Sequence, residues 1–342
     1  MRVLSVLTMD HPVVDLTLRE SGVGSLIRVR SFFGFFMLPL QIFVFCMKDR
    51  RALINFHYPN YRYLLAVYFL RLSGRKYTVC LWGSDYLKVD GLRAIVLKYI
   101  CSGAVGISIA SPLAAENFAA KYCLSSAKVV VLPFLIPNIE DLYLRVLKKS
   151  IPATDRGRRI NLLCGTNGSE NQQFNKIIEA LRLVENKVFD KFVVLFHLGY
   201  GAAENVEAEI LEFQRNTKFE VRVEKDFLHG EQLLSFRENI DVLIQIQKTD
   251  QLSAAMLEHL VLNKLVITGD WLEYSILDHA DVFYQKVTRQ ATSENIAKAL
   301  EDIAVNGIPD IVDNAKKIVS LFGYKENIVK WKAFLSNGEI KS

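Results

Sequence analysis

The stretch that indicates the fold most directly is Val242–Gly269, which reads VLIQIQKTDQLSAAMLEHLVLNKLVITG. A short apolar run, Val242–Gln245, is followed by a polar loop and then by apolar residues at helical spacing over 253–262. A turn at Asn263 separates this predicted helix from a second β-branched run, Leu265–Thr268. A strand, a helix and a second strand in so short a span predict neighbouring parallel strands of an α/β sheet.

The same alternation runs outward through the rest of the chain. Strands are predicted at Val3–Leu7, Ala52–Phe56, Tyr77–Leu81, Val105–Ile109, Val129–Leu132, Ile160–Cys164, Phe192–Phe196 and Glu220–Val223. Helices are predicted near 25–46, 61–73, 88–101, 112–122, 170–186, 202–216, 230–239, 253–262 and 271–278. The pair Ser111-Pro112 is typical of a helix start, with Ser as the N-cap and Pro as the first helical residue.

The chain divides into two predicted domains. Its 342 residues exceed the usual length of a single domain. The segment Ser150–Arg159, SIPATDRGRR, is polar with Pro and Gly and predicts a linker between a domain at 1–150 and a second at 151–320. We therefore expect an α/β protein of two doubly wound parallel-sheet domains that face each other across a cleft, where such sheets bind ligands.

Charge is distributed unevenly between the two predicted domains. Residues 1–150 carry 19 Lys/Arg and 9 Asp/Glu, whereas the remainder carries 23 and 28. The basic first half is expected to face an anionic partner, and charge alone allows nucleic acid or a phospholipid surface. Nucleic-acid binding favours aromatic side chains interleaved with basic ones, but here the aromatics lie in apolar runs, so we predict no nucleic acid.

One apolar segment leaves three interpretations open. Phe32–Met47 reads FFGFFMLPLQIFVFCM and is flanked by Arg28, Arg30, Lys48, Arg50 and Arg51. It is shorter than the roughly 20 residues that span a bilayer, and Pro39 and Gln41 interrupt it. It is therefore a buried core helix, a helix lying in the plane of a membrane surface, or a true span.

The five cysteines lack any C-x-x-C pair, and the apolar run at the N-terminus is too short for a signal peptide, which together favour a cytoplasmic protein.

The predicted second domain carries the clearest candidate ligand site. Asp250 lies in the loop after Val242–Gln245, and Glu258 lies eight positions later in the following helix, so both carboxylates can face one ligand. The loop Gly165-Thr166-Asn167-Gly168-Ser169 joins a strand to a helix, where small residues and the helix N-terminus suit a phosphate. Gly199 and Tyr200 follow the next strand and suit a nucleotide base or sugar, and Lys248 is a candidate partner for a pyrophosphate.

Polar side chains also follow three strands of the first domain. They are Asp10 and His11 after the first strand, His57, Tyr58 and Asn60 after the second, and Trp82, Ser84 and Asp85 after the third. Group transfer to a hydroxyl or phosphate needs a base, and Asp85 is the preferred candidate, with His57 and His11 as alternatives. The remaining five, Asp10, Tyr58, Asn60, Trp82 and Ser84, are candidate acceptor contacts. No metal-binding pattern is present in the sequence, and we predict no metal.

These features resemble a known family. The order from Asp250 to Glu258 resembles the E-x7-E element of GT-B glycosyltransferases, with Asp for the first Glu, which implies that Asp250 contacts the donor sugar and Glu258 the ribose. His57-Tyr58-Pro59-Asn60, Leu81-Trp82-Gly83-Ser84-Asp85-Tyr86, the loop from Gly165 to Asn171, and Leu198-Gly199-Tyr200 resemble the TDP-N-acetylfucosamine:lipid II N-acetylfucosaminyltransferase family. Residues 321–342 look like the C-terminal helix that crosses back to the first domain in GT-B proteins.

The resemblance implies a function. It is transfer of a hexosyl or N-acetylhexosaminyl group, without metal or cofactor, from a UDP-, TDP- or GDP-sugar to a polyprenyl-diphosphate-linked glycan in surface-polysaccharide synthesis. The basic first domain would then sit on the inner leaflet of the cell membrane. A dinucleotide-dependent oxidoreductase would need G-x-G-x-x-G after the first strand, where Met9-Asp10-His11-Pro12 stands instead. A non-catalytic sugar- or partner-binding protein on the same fold stays open.

Overall fold

The computed structural model describes residues 2–8, 12–22, 24–87, 89–148, 158–250 and 252–338, apart from the side chains of Pro12, Phe32, Ser84 and Glu326. Of the predicted linker, only Arg158 and Arg159 lie within these ranges. Contacts divide the chain into two compact units. The first unit comprises Met1–Pro137 with Phe322–Ser342, and the second comprises Asn138–Leu321.

The first unit is built on a six-stranded parallel sheet. Its strands are β1 (Val3–Leu7), β2 (Ser25–Arg28), β3 (Leu53–His57), β4 (Tyr77–Cys80), β5 (Gly106–Ile109) and β6 (Val129–Val131). They lie in the order β2-β1-β3-β4-β5-β6. All five residues of β3 are buried, including the polar Asn55 and His57, because helices cover both faces of a parallel sheet.

Among the described residues that precede the second unit, six helices accompany this sheet: α1 (Pro12–Ser21), α2 (Phe32–Lys48), α3 (Leu64–Leu72), α4 (Ser84–Leu87), α5 (Gly91–Ser102) and α6 (Pro112–Tyr122). The predicted start of α6 is confirmed, since the Ser111 hydroxyl accepts a hydrogen bond from the Ala114 N–H at 3.3 Å and Pro112 opens the helix. Helix α3 contacts both α2 and α5.

The prediction of a single helix over 25–46 is wrong at its beginning. Ser25–Arg28 forms β2, which pairs with β1 so that Leu4 lies beside Ser25 and Leu7 beside Arg28. Gly22, with φ of +69°, follows the end of α1, and the Ser31 hydroxyl caps α2 by accepting the Gly34 N–H at 3.1 Å. The backbone of 25–28 is thus left free to join the sheet, which helical periodicity in the sequence did not reveal.

Helix α2 buries one face and exposes the other. Leu38, Ile42 and Cys46 belong to the core of the first unit, whereas Phe33 and Phe43 are more than half exposed. Among the described residues, no helix has the length and the apolar character that crossing a membrane requires. The structure therefore combines a core helix with an exposed apolar surface on the same segment.

The second unit contains another six-stranded parallel sheet. Its strands are β7 (Ile160–Cys164), β8 (Phe192–His197), β9 (Glu220–Glu224), β10 (Val242–Gln245), β11 (Leu265–Gly269) and β12 (Gln285–Val287). They lie in the order β12-β11-β10-β7-β8-β9. Strand β12 was not predicted, since its three residues carry no apolar run. The two doubly wound parallel sheets confirm the predicted fold class.

In the described part of the chain, eight helices accompany the second sheet: α7 (Ile139–Lys148), α8 (Phe174–Val188), α9 (Glu204–Asn216), α10 (Gly230–Asn239), α11 (Ala254–Val261), α12 (Ser275–Asp278), α13 (Thr292–Asn306) and α14 (Asn314–Phe322). Helix α7 precedes the predicted linker but packs on α11. Its Arg145 bonds Glu231 at 2.6 Å and Glu238 at 3.0 Å. These contacts place α7 in the second unit, so the division between the units falls at Pro137–Asn138.

The last helix, α15 (Tyr324–Asn337), packs in the first unit against α1 and β3. The indole N–H of Trp331 donates to the carbonyl of Pro133 at 2.9 Å, and the Asn55 amide donates to the carbonyl of Leu335 at 3.0 Å. The Trp331 ring stacks on Trp82 with centroids 5.3 Å apart. A chain segment from the far end of the sequence therefore completes the core of the first unit.

We expect Trp331→Ala to lower the free energy of unfolding of the first unit by about 3–5 kcal/mol, because it leaves a large cavity beside Trp82 and removes the bond to Pro133. Denaturant unfolding followed by tryptophan fluorescence and circular dichroism measures this change. Val329→Ala, at an exposed position of the same helix, is the matched control and should leave stability nearly unchanged. Equal stability of the two variants would contradict the role given to Trp331.

Candidate functional site

The carboxyl end of the second sheet contains a topological switch point. Strands β7 and β10 are neighbours, and the strand order proceeds in opposite directions from them, through β8 and β9 on one side and β11 and β12 on the other. Loops that leave such a pair diverge to opposite faces of the sheet, and the space between them is where open α/β sheets bind ligands. The loops after β7, β8 and β10 carry nearly all the predicted donor contacts.

The predicted phosphate loop, Gly165–Ser169, is tied to both of its neighbours. The Gly165 N–H donates to the carbonyl of Ile244 in β10 at 2.9 Å, and Gly165 has a φ of +70°, which favours glycine. The Gly168 N–H donates to the carbonyl of Tyr200 at 2.9 Å. A side chain at Gly168 would place its Cβ 2.4 Å from the Cα of Ala202. Gly165 is therefore favoured by its backbone conformation and Gly168 by close backbone packing, whatever ligand binds beside them.

Two amides fasten this loop further. The Asn167 amide donates to the Tyr200 hydroxyl at 3.1 Å. The Asn171 amide donates to the carbonyl of Thr249 at 2.9 Å, and its oxygen accepts the Thr249 N–H at 3.2 Å. The Lys248 N–H donates to the carbonyl of Asn171 at 2.8 Å, while the Lys248 side chain is exposed. The structure thus brings Gly165–Ser169, Tyr200 and Lys248 into one connected group of loops.

Tyr200 forms an exposed aromatic pair with Phe227. Their ring centroids are 6.1 Å apart in an edge-to-face arrangement, with 55% of Tyr200 and 61% of Phe227 exposed. Gly199 permits the close approach of the two loops, since a Cβ there would lie 2.6 Å from the carbonyl oxygen of Asp226. Phe227 was missed in the sequence, although a lone phenylalanine in the polar loop after a strand was a usable signal. Exposed rings beside a strand end can stack on a planar base.

The Asp250 carboxylate accepts hydrogen bonds from described residues of the same unit. The Tyr274 hydroxyl donates to the carboxylate at 2.5 Å, the Ser253 N–H at 2.9 Å and the Gln245 amide at 3.4 Å. Burial, reinforced by the Asp250 carboxylate, raises the pKa of Tyr274 well above its usual value, so the phenol stays protonated and donates. The sequence did not predict Tyr274 or Gln245. Fixed orientation by buried donors is what a carboxylate needs in order to select among ligand hydroxyls.

Three buried glutamine carbonyls lie near the same strand ends. The Oε1 atoms of Gln172, Gln245 and Gln247 are enclosed and have no hydrogen-bond partner among the residues that the structure describes. Gln245 ends β10, Gln247 follows it, and the Gln172 amide donates to the Thr166 hydroxyl at 3.2 Å. Buried acceptors without partners are costly, and the described residues leave these three carbonyls without a donor.

Glu258 is engaged within the protein. One carboxylate oxygen accepts from the Asn138 amide at 2.7 Å and the other from the Arg237 guanidinium at 3.0 Å. The side chains of Arg237 and Glu258 are each only 5% exposed. This geometry gives Glu258 a structural role as the counter-charge of Arg237 and does not favour the predicted contact with ribose. The sequence pattern placed the carboxylate correctly on α11. Its contacts, however, are made to Asn138, just before α7, and to Arg237 in α10.

Asp85 lies in the first turn of the short helix α4 in the first unit. Its two oxygens accept the Trp82 N–H at 2.9 and 3.1 Å. Burial raises the pKa of its carboxyl to about 7, although the N–H groups of Trp82 and Gly83 oppose this rise. A carboxylate that titrates near neutral pH is suited to accept a proton from a substrate.

His57 lies in a different environment. It is fully buried, and burial lowers its pKa to about 3. Its ring stacks on Trp82 with centroids 5.9 Å apart, and neither ring nitrogen has a hydrogen-bond partner in the described part of the chain. Because no part of the ring is exposed, this geometry does not favour His57 as a base.

The other predicted contacts of the first unit serve its packing or lie outside the description. Tyr58 and Trp82 are buried in an aromatic cluster with Phe134 and Trp331. The Asn60 amide donates to the Thr8 hydroxyl and to the carbonyl of Tyr58, both at 2.9 Å, and its oxygen caps the turn that follows. Asp10, His11 and the side chain of Ser84 lie outside the described residues.

We expect Glu258→Gln to lower the free energy of unfolding of the second unit by about 3 kcal/mol, because Arg237 is left buried without its counter-charge. Urea unfolding measures this change. Glu231→Gln removes an exposed partner of Arg145 and is the matched control, with little change expected. If Glu258→Gln kept full stability and lost only nucleotide affinity, Glu258 would be a ligand contact after all.

The raised pKa of Asp85 predicts a specific dependence of stability on pH. The pKa of Asp85 is about 7 in the folded protein and 3.8 for the ordinary group. The protonated carboxyl therefore contributes fully to the free energy of unfolding below pH 3.8, and this contribution is lost as pH rises through about 7. Asp85→Asn should remove this pH-dependent loss of stability, which is measured by melting temperatures between pH 3.8 and about 7. Asp90→Asn, at an exposed position nearby, should keep the wild-type profile. Identical profiles for the two variants would overturn the assignment.

Comparison with known proteins places this geometry in a known fold. No protein-family model and no curated protein matches the chain. Among solved structures, trehalose-6-phosphate synthase OtsA aligns over 100% of both chains with a TM-score of 0.71 and 10% identity. A glycosyltransferase from Rickettsia africae ESF-5 aligns over 98% of this chain and 99% of its own, with a TM-score of 0.70 and 13% identity.

A UDP-forming α,α-trehalose-phosphate synthase from Burkholderia xenovorans aligns over 98% of this chain and 99% of its own, with a TM-score of 0.67 and 11% identity. At such identities the likeness establishes the fold and leaves the activity to be argued from the site. The two Rossmann-like units of this chain have the GT-B fold.

Proposed function

We propose that the chain is a glycosyltransferase that moves a hexosyl or N-acetylhexosaminyl group from a nucleotide-sugar to a lipid-linked glycan in surface-polysaccharide synthesis. The observation that carries the proposal is the set of oriented polar groups at the switch point of the second unit. There the Tyr274–Asp250–Gln245 network and the glycine-containing loop after β7 lie at the carboxyl ends of adjacent strands. The resemblance of the sequence to lipid-linked acceptor transferases supports the acceptor class.

Each group of the second unit has a part in donor binding. Asp250, fixed by Tyr274, accepts hydroxyls of the sugar. Tyr200 and Phe227 hold the base, and the loop Gly165–Ser169 with Lys248 faces the diphosphate. In this proposal the nucleotide-sugar is a co-substrate, and the leaving diphosphate is stabilised by N–H groups and Lys248 without a metal or cofactor.

Asp85 is the proposed base of the first unit. In the transfer step the acceptor oxygen forms a bond to the anomeric carbon, the bond from that carbon to the diphosphate breaks, and the acceptor proton passes to Asp85. With a pKa of about 7, the carboxyl is ionised at the alkaline side of neutrality and can release the proton again to solvent. The enzyme would act in the cytoplasm, with its basic first unit on the inner leaflet of the cell membrane.

A non-catalytic sugar-binding protein on this fold is the second candidate. The observation that favours it is the internal pairing of Glu258 with Arg237, since that carboxylate is a ligand contact in the sequence element that it resembles. The two candidates share the donor site and differ in turnover.

We expect UDP, TDP or GDP to raise the melting temperature of the protein, since a ligand at about 100 times its Kd adds about 2.7 kcal/mol to stability. CMP is the comparison nucleotide.

Tyr200→Ala should lower the affinity for the nucleoside diphosphate roughly tenfold through lost stacking. Asp250→Asn should weaken the nucleotide-sugar and spare the free diphosphate. Phe283→Ala, at the amino end of β12, is the matched control.

Turnover separates the two candidate functions. With a membrane extract as acceptor, Asp85→Asn should lower sugar transfer at least roughly 100-fold while nucleotide binding is kept. Nucleotide binding without transfer by the wild type would favour the non-catalytic protein. No thermal response to any nucleotide would contradict both candidates as donor binders.

A further inference from the structure

Helices α2 and α3 expose an apolar surface that the fold does not use. Phe33, Phe43 and Met47 on α2 and Phe69 and Leu72 on α3 are each more than half exposed. They extend over neighbouring helices of one layer, since α2 contacts α3. We call this surface the α2–α3 face. Contiguous exposed apolar surface of this kind marks an interaction site rather than ordinary solvent-facing surface.

A groove runs between the two helices within this face. Its volume is about 740 Å³, and residues of α2 such as Pro39 and Ile42 face residues of α3 such as Leu65 and Phe69 across it. Apart from Ser73 and Arg75, the lining consists of apolar or thiol side chains. A groove of this size with only two polar residues in its lining suits a hydrocarbon chain better than a sugar or a nucleotide, most of whose hydroxyls and phosphates would lack partners.

Basic residues lie at the carboxyl ends of both helices of the face. Arg71 lies in the last turn of α3, and Arg75 lines the groove. Neither α2 nor α3 contains an acidic residue. Lys48, Arg50 and Arg51 at the end of α2 are exposed. The apolar face is therefore bordered by cations with few compensating carboxylates.

These properties select among the occupants that could cover the face. A second copy of this chain would bring a second cluster of cations against the first, and like charges at an interface oppose association. An anionic bilayer supplies both complements, with hydrocarbon for the phenylalanines and phosphate headgroups for the cations. Each Lys or Arg near such a surface contributes about 1 kcal/mol to binding.

We propose that the α2–α3 face docks on an anionic phospholipid bilayer, with both helices in the plane of the interface and a lipid acyl chain in the groove. This inference rests on the proposed location at the membrane and specifies the residues that create it. Helix α2 starts where the chain leaves the carboxyl end of β2, and α3 follows the carboxyl end of β3. Their amino ends thus lie at the same edge of the sheet as Asp85, so a docked face brings that edge near a lipid-linked acceptor.

Co-sedimentation with vesicles tests the docking face. The full chain should sediment with phosphatidylcholine–phosphatidylglycerol vesicles, should bind pure phosphatidylcholine vesicles weakly, and should be released by high salt. The double variant Phe43→Ser, Met47→Ser should lower the partition coefficient at least roughly tenfold, because two apolar side chains no longer enter the bilayer. Phe283→Ser in the second unit is the matched control and should bind like the wild type.

A fluorescent fatty acid tests the groove without vesicles. It should bind the wild type saturably and bind the double variant more weakly, with the melting temperature of the variant confirming that it is folded. Failure of the wild type to bind anionic vesicles, equal vesicle binding by the folded double variant, or absence of saturable fatty-acid binding would overturn the proposal. So would a wild-type dimer that the double variant converts to a monomer, because a second copy would then cover the face.

The nucleotide response of the same preparations keeps this inference separate from the proposed function. A thermal shift with a nucleoside diphosphate and no vesicle binding would overturn the docking face and leave the donor site standing. Vesicle binding with no nucleotide response would have the opposite meaning, because the membrane face would stand and the donor site would not.

Discussion

The parallel pairing of β7 with β10 is the constraint on which the candidate donor site depends. In this register Leu162 lies beside Val242 and Cys164 beside Ile244, so the two strands end together. The loops that follow then meet, as the bond from Gly165 to Ile244 and the paired amide contacts of Asn171 with Thr249 show. Strands far apart in the sequence thus deliver a loop rich in small residues and a carboxylate loop to one place. A register shift of one residue would separate them and turn the buried side chains to the wrong face.

Three carboxylates illustrate how environment decides role. Asp250 is oriented by a protonated tyrosine and an amide, Glu258 is paired with a buried guanidinium, and Asp85 sits among groups that remove it from water. The same functional group therefore serves as a candidate ligand contact, as a structural counter-charge and as a candidate base. The sequence placed all three at strand ends or on the adjoining helix, but only their neighbours distinguish them. For Glu258 those neighbours are Asn138 and Arg237, which come from 120 and 21 positions away in the chain.

Helix α2 packs one side into the core of the first unit and exposes apolar side chains on the other. Leu38, Ile42 and Cys46 complete the core beneath the first sheet, while Phe33, Phe43 and Met47 remain at the surface. A helix that is apolar on every side either lies within a core or meets a second apolar phase. Its buried face accounts for the core interpretation of the sequence, and its exposed face for the membrane interpretation. The core interpretation is confirmed for the buried side, whereas the membrane interpretation of the exposed side stays a proposal.

By itself the sequence determined the fold class, most of the strands and the start of α6. Apolar runs, turn residues and caps are local signals, and parallel strands buried on both faces leave them uninterrupted. Only the tertiary structure decided that Ser25–Arg28 is a strand, that Tyr274 and Gln245 orient Asp250, that Phe227 joins Tyr200, and that Trp331 completes the first core. Apart from Gln245, which is five positions from Asp250, each of these depends on a partner distant in the sequence, and local periodicity carries no information about such a partner. The fold could therefore be predicted from the sequence, whereas the environment of each candidate site residue is determined by its tertiary contacts.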